Sequence, residues 1–284
     1  MSEQQTTGQP NGQLVKIAGK DIFYLEMGSG EPLVLLHGGG PGASGWSNYN
    51  RNAQVLSTQY RVIIPDLPGY GRSNKDPITG PRYSHYASAV IGLLDTLGLK
   101  KAHVVGNSLG GGTALKMALD SPSRVGKLIL MGPAGLVSAY QTIPTEGARL
   151  IFEYYGGSGP SREKLETFIR LMIYDSAKLT KELLEDRYQA SIEPALLANP
   201  PLGRGQPPVL EELWRDARLA SLPHSTLVLW GRNDRVNPLY TAEILMNQLP
   251  NARMVSFTQC GHWVQWEKAQ AFNAIVTSFL AGEE

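Results

Sequence analysis

The chain has 284 residues, 42% hydrophobic and 18% charged, with a formal net charge of +1. That balance is ordinary for a globular protein, and the length suits one α/β domain carrying an insertion. A near-neutral charge offers nothing to hold nucleic acid or an acidic membrane surface. A single cysteine, Cys260, excludes an internal disulfide framework and a multi-cysteine metal site, and no apolar run approaches the roughly 18 residues of a membrane span.

Met1 to Gly12 is polar and lacks the apolar stretch of a secretory signal peptide. Residues 1–13 are expected to be disordered, and the protein to be cytoplasmic. Leu14–Ile17 and Ile22–Leu25 alternate across Ala18-Gly19-Lys20-Asp21, which predicts a hairpin. Pro32–Leu36, Arg61–Leu67, His103–Val105 and Lys127–Met131 are continuous apolar runs, the pattern of strands buried on both faces of a parallel sheet. Between them, Tyr86–Leu97 carries Ala87, Val90, Ile91, Leu94 and Leu97 at helical spacing. The rhythm breaks after Pro133. Residues 140–208 hold no clear strand but amphipathic patterns near 144–155, 161–173 and 180–193, flanked by Gly- and Pro-rich loops. Ser225–Gly231 resumes the sheet, Arg253–Phe257 adds a last strand, and Ala269–Leu280 a closing helix. The β-α-β-α order predicts a doubly wound α/β sheet.

Gly106-Asn107-Ser108-Leu109-Gly110 sits between the run His103–Val105 and a helical pattern from Gly111 to Leu119. G-x-S-x-G at a strand–turn–helix junction lifts the serine onto a strained turn above the sheet. The same letters also describe a glycine-rich turn with an incidental serine. A serine hydroxyl is a poor nucleophile at neutral pH, so it needs a general base, and the base needs an orienting acid. Asp234 follows the strand Leu227–Trp230, and His262 follows the strand ending at Phe257. Taken singly, Asp234 reads as a turn residue and His262 as a structural loop histidine. Together, Ser108, Asp234 and His262 have the chain order of an α/β-hydrolase, each just past the end of a strand where ligands gather. The expected fold is therefore α/β, an α/β-hydrolase with a mostly parallel eight-stranded sheet and helices on both faces. Its core would be residues 14–139 and 209–284, with 140–208 as a helical lid.

An acyl-transfer site also needs N–H donors for a developing oxyanion. The N–H of Leu109 and that of Gly39, in His37-Gly38-Gly39-Gly40-Pro41-Gly42, are the candidates. In the lid, Arg187 lies four residues from Leu183 and three from Leu184 and Ala190, which places it on the apolar face. A buried guanidinium needs a partner. The readings are a snorkelling side chain, an ion pair with a protein carboxylate, or a clamp for a substrate carboxylate. Cys260 reads as a small buried hydrophobe, and His37, His85, His103 and His224 as structural.

Six segments together, His37-Gly38-Gly39-Gly40-Pro41-Gly42-Ala43, Gly45-Trp46-Ser47-Asn48-Tyr49, Gly106–Gly111, Leu130–Pro133, Trp230-Gly231-Arg232 and Cys260-Gly261-His262-Trp263, resemble the meta-cleavage product hydrolases. These are serine-dependent carbon–carbon bond hydrolases of bacterial aromatic degradation, and the resemblance runs from about residue 14 to the end. It implies a triad of Ser108, Asp234 and His262, and an oxyanion hole at Gly39 and Leu109. Arg187 and Trp263 would hold a dienoate, with Asn48 and Asn107 nearby and Gly40 lining the same pocket. The implied substrate is a 2-hydroxy-6-oxo-6-substituted-hexa-2,4-dienoate, with a phenyl or aryl group at C6. The products are 2-hydroxypenta-2,4-dienoate and a carboxylic acid. No metal or organic cofactor, nucleic acid or membrane is implied, and the family forms homodimers or higher homo-oligomers. Leu150, Phe168, Met172, Ile173, Val236 and Trp266 are candidates for the C6 pocket. The acyl-enzyme and gem-diol routes both stay open. Two alternatives also stand, a serine carboxylesterase or proline-iminopeptidase-like enzyme, and a non-turnover receptor built on a hydrolase shell.

Overall fold

The computed structural model describes residues 10–78, 80–136, 144–202 and 211–283. Its eight strands are β1 (Gln13–Ile17), β2 (Lys20–Met27), β3 (Glu31–Leu36), β4 (Tyr60–Pro65), β5 (Ala102–Asn107), β6 (Val125–Met131), β7 (Thr226–Gly231) and β8 (Ala252–Phe257). They form one sheet in the order β1-β2-β4-β3-β5-β6-β7-β8. Only the β1–β2 and β2–β4 pairs are antiparallel; the others are parallel. The expected mostly parallel sheet of eight strands is what the chain builds.

The continuous apolar runs have a direct cause. Leu33 and Leu35 join one buried cluster with Phe272, Val276 and Phe279, while the alternate residues Val34 and Leu36 join another with Tyr86, Val90 and Leu115. The apolar residues of the inner strands thus have a helix layer to meet, whichever way they point, while the edge strands β1 and β8 stay largely exposed. The layers come from α1 (Gly45–Tyr49), α2 (Ala53–Leu56), α3 (Arg82–Thr96), α4 (Leu109–Asp120), and, after four helices described next, α9 (Ala242–Gln248), α10 (Val264–Glu267) and α11 (Ala269–Ala281).

Between β6 and β7 lie α5 (Glu146–Glu153), α6 (Arg162–Met172), α7 (Lys181–Ser191) and α8 (Pro194–Ala198), with no strand among the described residues. Side-chain oxygens set three of their starts: Thr145, Ser161 and Thr180 accept from Ala148, Lys164 and Leu183 N–H respectively. These helices own a third cluster, Tyr154, Phe168, Ile169 and Met172, which reaches Trp263 and Trp266 of the core. The boundaries expected at 140 and 208 lie outside the described residues, as does most of the N-terminal stretch; β1 itself begins at Gln13.

Two local readings are corrected. The hairpin turn is two residues, Ala18 and Gly19, both at positive φ (49° and 80°), so β2 begins at Lys20. That is the twist-matched turn of a tight hairpin, and alanine at its first position hides the signal. Helix α3 starts at Arg82, not Tyr86. The Glu211 carboxylate accepts from the Tyr83 and Ser84 N–H groups, so the cap comes from a distant segment.

Phe272 is fully buried between sheet and α11. Phe272→Ala should lower the unfolding free energy by about 3–5 kcal/mol, read as a lower denaturant midpoint at unchanged slope.

Candidate active site

Ser108 joins β5 to α4 with φ 51° and ψ −111°. For a residue with a β-carbon that backbone costs about 1–3 kcal/mol and persists only where neighbours enforce it. Three main-chain bonds do so here. Ser108 N–H donates to Met131 O at 2.9 Å, and its carbonyl accepts from Gly112 and Ala134 N–H. The turn also needs two backbones in contact. A β-carbon on Gly110 would sit 2.1 Å from Leu36 O, and one on Gly106 2.3 Å from Gly110 O.

Asp234 and His262 meet from the loops after β7 and β8. Asp234 Oδ2 lies 2.6 Å from His262 Nδ1, with both side chains almost fully buried. Oδ1 accepts from the N–H groups of Val236 and Asn237, both at 2.8 Å, which fixes the carboxylate. Nδ1 is thereby committed, and Nε2 is the nitrogen left for chemistry. His262 N–H donates to Met172 O, the last residue of α6. Its carbonyl accepts from Asn107 Nδ2.

One cavity of about 10 Å³ is lined by Ser108 and His262, with Gly39, Gly40, Asn48, Asn107, Arg187 and Trp263 among its other walls. Every sequence-derived site residue is thus brought together except Asp234, which stands behind His262, and Leu109. Leu109 instead packs on Gly39: a β-carbon there would lie 3.1 Å from Leu109 Cδ2. As the first residue of α4, Leu109 has an N–H with no partner inside the helix. Asn48 Oδ1 accepts from Gly38 N–H, and the Gly39 carbonyl accepts from Tyr70 OH. The glycine loop is therefore held from both sides. A second, apolar chamber shares Gly39, Gly40 and Ile151 with the first and adds Tyr155, Leu196 and Leu202. A larger cleft, about 640 Å³, opens at the opposite end of the strands beside Glu31, His103 and His224, and holds none of these residues.

Arg187, on α7, is 4% exposed. Nη1 reaches Ser47 Oγ at 3.4 Å, and the guanidinium lies 5.2 Å from the Trp263 ring centre. Nε and Nη2 are buried without a partner, and no carboxylate pairs with the group among the described residues. The snorkelling and protein-carboxylate readings of Arg187 are therefore not what the fold contains. Burial lowers its pKa to about 10, opposed by Tyr155, Tyr154 and Tyr70, so it stays cationic at neutral pH. A β-carbon on Gly40 would sit 3.2 Å from Nη2. Gly42, at φ 62°, presses on the Arg187 main chain so closely that a β-carbon would lie 2.1 Å from its carbonyl oxygen.

Among the pocket candidates, Met172 lines the cavity and Phe168 stands within 3.1 Å of a Gly40 β-carbon. Leu150 is displaced by its neighbour Ile151, because one residue turns a helix face by about 100°. Ile173, Val236 and Trp266 belong to the buried cluster behind. Ser47 sits in one of the quoted segments without a role assigned to it, and Tyr70 and Glu267 lie in none; the bonds that bring them to the site, to Arg187, Gly39 and Tyr174, span 140, 31 and 93 residues. Cys260 is buried, and burial raises its thiol far above the usual range. His103 accepts from Lys127 N–H and pairs with Glu31, and His224 bonds Pro122 O.

His37 anchors the start of the glycine loop. Its Nδ1–H donates to Gly38 O, and Nε2 accepts from Leu67 N–H. Complete burial lowers its pKa to about 4, the Gly38 bond opposing and Arg187 adding. The unfolded chain takes up this proton first, so stability falls as pH drops from about 6.5 towards 4. Nitrogen NMR at pH 5.5 should find His37 neutral with the proton on Nδ1. Its share of the acid destabilisation should reach about 3 kcal/mol at pH 4.

A family described as the alpha/beta hydrolase fold matches residues 31–269. A 2-hydroxy-6-oxo-6-phenylhexa-2,4-dienoate hydrolase of Comamonas testosteroni is 43% identical over 277 residues, covering 94% of this chain and 96% of that protein. A 2-hydroxy-6-oxononadienedioate/2-hydroxy-6-oxononatrienedioate hydrolase of the same species is 42% identical over 265 residues, 92% of this chain and 91% of that one. Among solved structures, a mutant of the meta-cleavage product hydrolase CumD of Pseudomonas fluorescens IP01, complexed with acetates, superposes with a TM-score of 0.85. It is 33% identical, with 95% of this chain and 98% of that chain covered. The sheet order, the serine turn and these likenesses agree: the chain belongs to the alpha/beta hydrolase fold family, among its meta-cleavage product hydrolases.

Proposed function

We propose that this enzyme adds water across a carbon–carbon bond of 2-hydroxy-6-oxo-6-substituted-hexa-2,4-dienoates, the class to which the 6-phenyl compound in the names of two hydrolase relatives belongs. The products are 2-hydroxypenta-2,4-dienoate and a carboxylic acid, and the setting is bacterial breakdown of aromatic compounds. The single observation that carries this reading is Arg187, a buried cation whose Nε and Nη2 face no protein partner beside the Ser108–His262 cavity. An ordinary ester needs no such clamp. A substrate carboxylate supplies the missing acceptors and neutralises the charge.

The steps follow from what must become of the electrons. Breaking the C5–C6 bond leaves a carbanion at C5 unless the pair can delocalise. The dienol therefore first ketonises: the C2 hydroxyl loses its proton and C5 gains one, giving a C2 ketone conjugated to C3–C4. Arg187 holds the carboxylate at that end, with Asn48 and Asn107 beside it, and His262 Nε2 relays the proton. Ser108 or an activated water then attacks the C6 carbonyl. The N–H groups of Gly39 and Leu109 receive the oxyanion, and Asp234 stabilises the imidazolium. Cleavage sends the C5–C6 pair through the C3–C4 enone to the C2 oxygen, which takes up a proton to give the dienol product. The acid keeps the added water oxygen, directly or after hydrolysis of an acyl-serine.

A cavity of about 10 Å³ has room for roughly one water molecule, so this form of the site is closed. Residues 140–208 act as a lid that must lift for a dienoate to enter. The apolar chamber under Ile151, Tyr155 and Leu196 adds apolar wall to the same site. The protein works in the cytoplasm as a homodimer or larger homo-oligomer.

Arg187→Ala should lower kcat/KM for a 6-phenyl dienoate by roughly a hundredfold, the worth of a buried charge-assisted bond. Turnover of a small neutral ester should stay within a few-fold. Loss of the yellow dienoate absorbance at the parental rate in that variant would remove Arg187 from the mechanism.

A further inference from the structure

We infer that Glu267 is a positioning residue that locks the His262 loop to the end of α6. It closes α10 and is 9% exposed. Its carboxylate accepts two main-chain N–H groups from different parts of the chain. Oε1 takes Gly261 N–H and Oε2 takes Tyr174 N–H, both at 2.7 Å. Between these two, His262 N–H donates to Met172 O at 2.6 Å. The histidine loop is therefore joined to 172–174 twice, directly from His262 to Met172 and through the Glu267 carboxylate from Gly261 to Tyr174.

Helix ends explain why the join forms here. The last carbonyls of a helix have no partner inside it. Met172 ends α6, and its carbonyl is satisfied by His262 itself. Approach this close requires Gly261. A β-carbon there would lie 2.2 Å from Met172 O and 3.0 Å from Ile173 Cα. On its other side the loop is held by Asn107 Nδ2 on the His262 carbonyl and by Asn233 N–H on the Cys260 carbonyl. Asp234 orients the imidazole; Glu267 fixes the backbone from which it hangs.

The choice of residue is also informative. A carboxylate presents two acceptor oxygens, which match two N–H donors. A glutamine presents one, and its NH2 group would face the other N–H. Two main-chain donors converging on one buried carboxylate are what make Glu267 more than packing. The end of α6 then stays with the base while the rest of the lid moves, so opening need not disturb the triad. This rests on the proposed function only in taking His262 as the base.

The full-length Glu267→Gln and Glu267→Asp variants test the idea, assayed well below their Tm. Asp keeps both oxygens but retracts them by one carbon. In each, kcat on the 6-phenyl dienoate should fall roughly ten- to hundredfold while KM stays within about twofold. The rate at which an aryl phosphonate labels Ser108 should fall by the same factor, since that reaction needs the same base. Folded Glu267→Gln protein with kcat and labelling within about twofold of the parent would overturn the proposal. So would a raised KM with unchanged labelling, which would tie Glu267 to closing the lid instead. If Glu267→Gln fails to fold, Glu267→Asp gives the same two readings. A parent that is labelled yet leaves dienoates intact would sink the substrate assignment, and the labelling rates would still decide the role of Glu267.

Discussion

A strained serine is the constraint on which the rest of the molecule turns. Ser108 sits at φ 51°, a conformation that would relax in a free peptide. It survives because β5 and α4 cross with glycine against backbone, and because β6 and the loop after it bond the Ser108 main chain on both sides. The sheet behind is apolar on both faces, so there is no cheap way for the strands to slide and release it. Core packing is converted into a hydroxyl held in one place. The penalty of a few kcal/mol is small beside the burial of eight strands, which is why a fold this size can carry it.

Around that serine the polar groups divide into satisfied and unsatisfied. Asp234 has both oxygens bonded, His37 both nitrogens, Glu267 both oxygens. Those groups define positions. Arg187 Nε and Nη2, and Asn107 Oδ1, lack partners, and they stand at one cavity. Buried polar atoms are expensive to leave alone, and these three stand beside Ser108, which is the ground for proposing them as binding groups.

Much of this was legible in the residue order, for reasons that can be stated. Strands buried on both faces leave unbroken apolar runs such as Leu33–Leu36. Ser108 and Asp234 stand just past such runs, at the ends of β5 and β7, and His262 is placed by the chain order that follows them, past the half-exposed edge strand β8. Arg187 is visible because a charge interrupting a helical apolar face breaks a strict period. What escaped has no local signature. Glu211 caps α3 from over a hundred residues away, and Glu267 reaches back 93 residues to Tyr174. The pocket wall fell to Ile151 instead of Leu150, since periodicity marks a face but not the exact side chain at its centre. Ala18 disguised a two-residue turn that a glycine or asparagine would have announced.

Gly42 carries a consequence of its own. Its backbone lies against the main chain of Arg187, so the glycine loop and helix α7 share one contact surface without side chains in between. The two segments are over a hundred residues apart, and a side chain at position 42 would push α7 off the loop. An α7 segment exchanged from a related enzyme would seat here only against a residue at position 42 that carries no side chain.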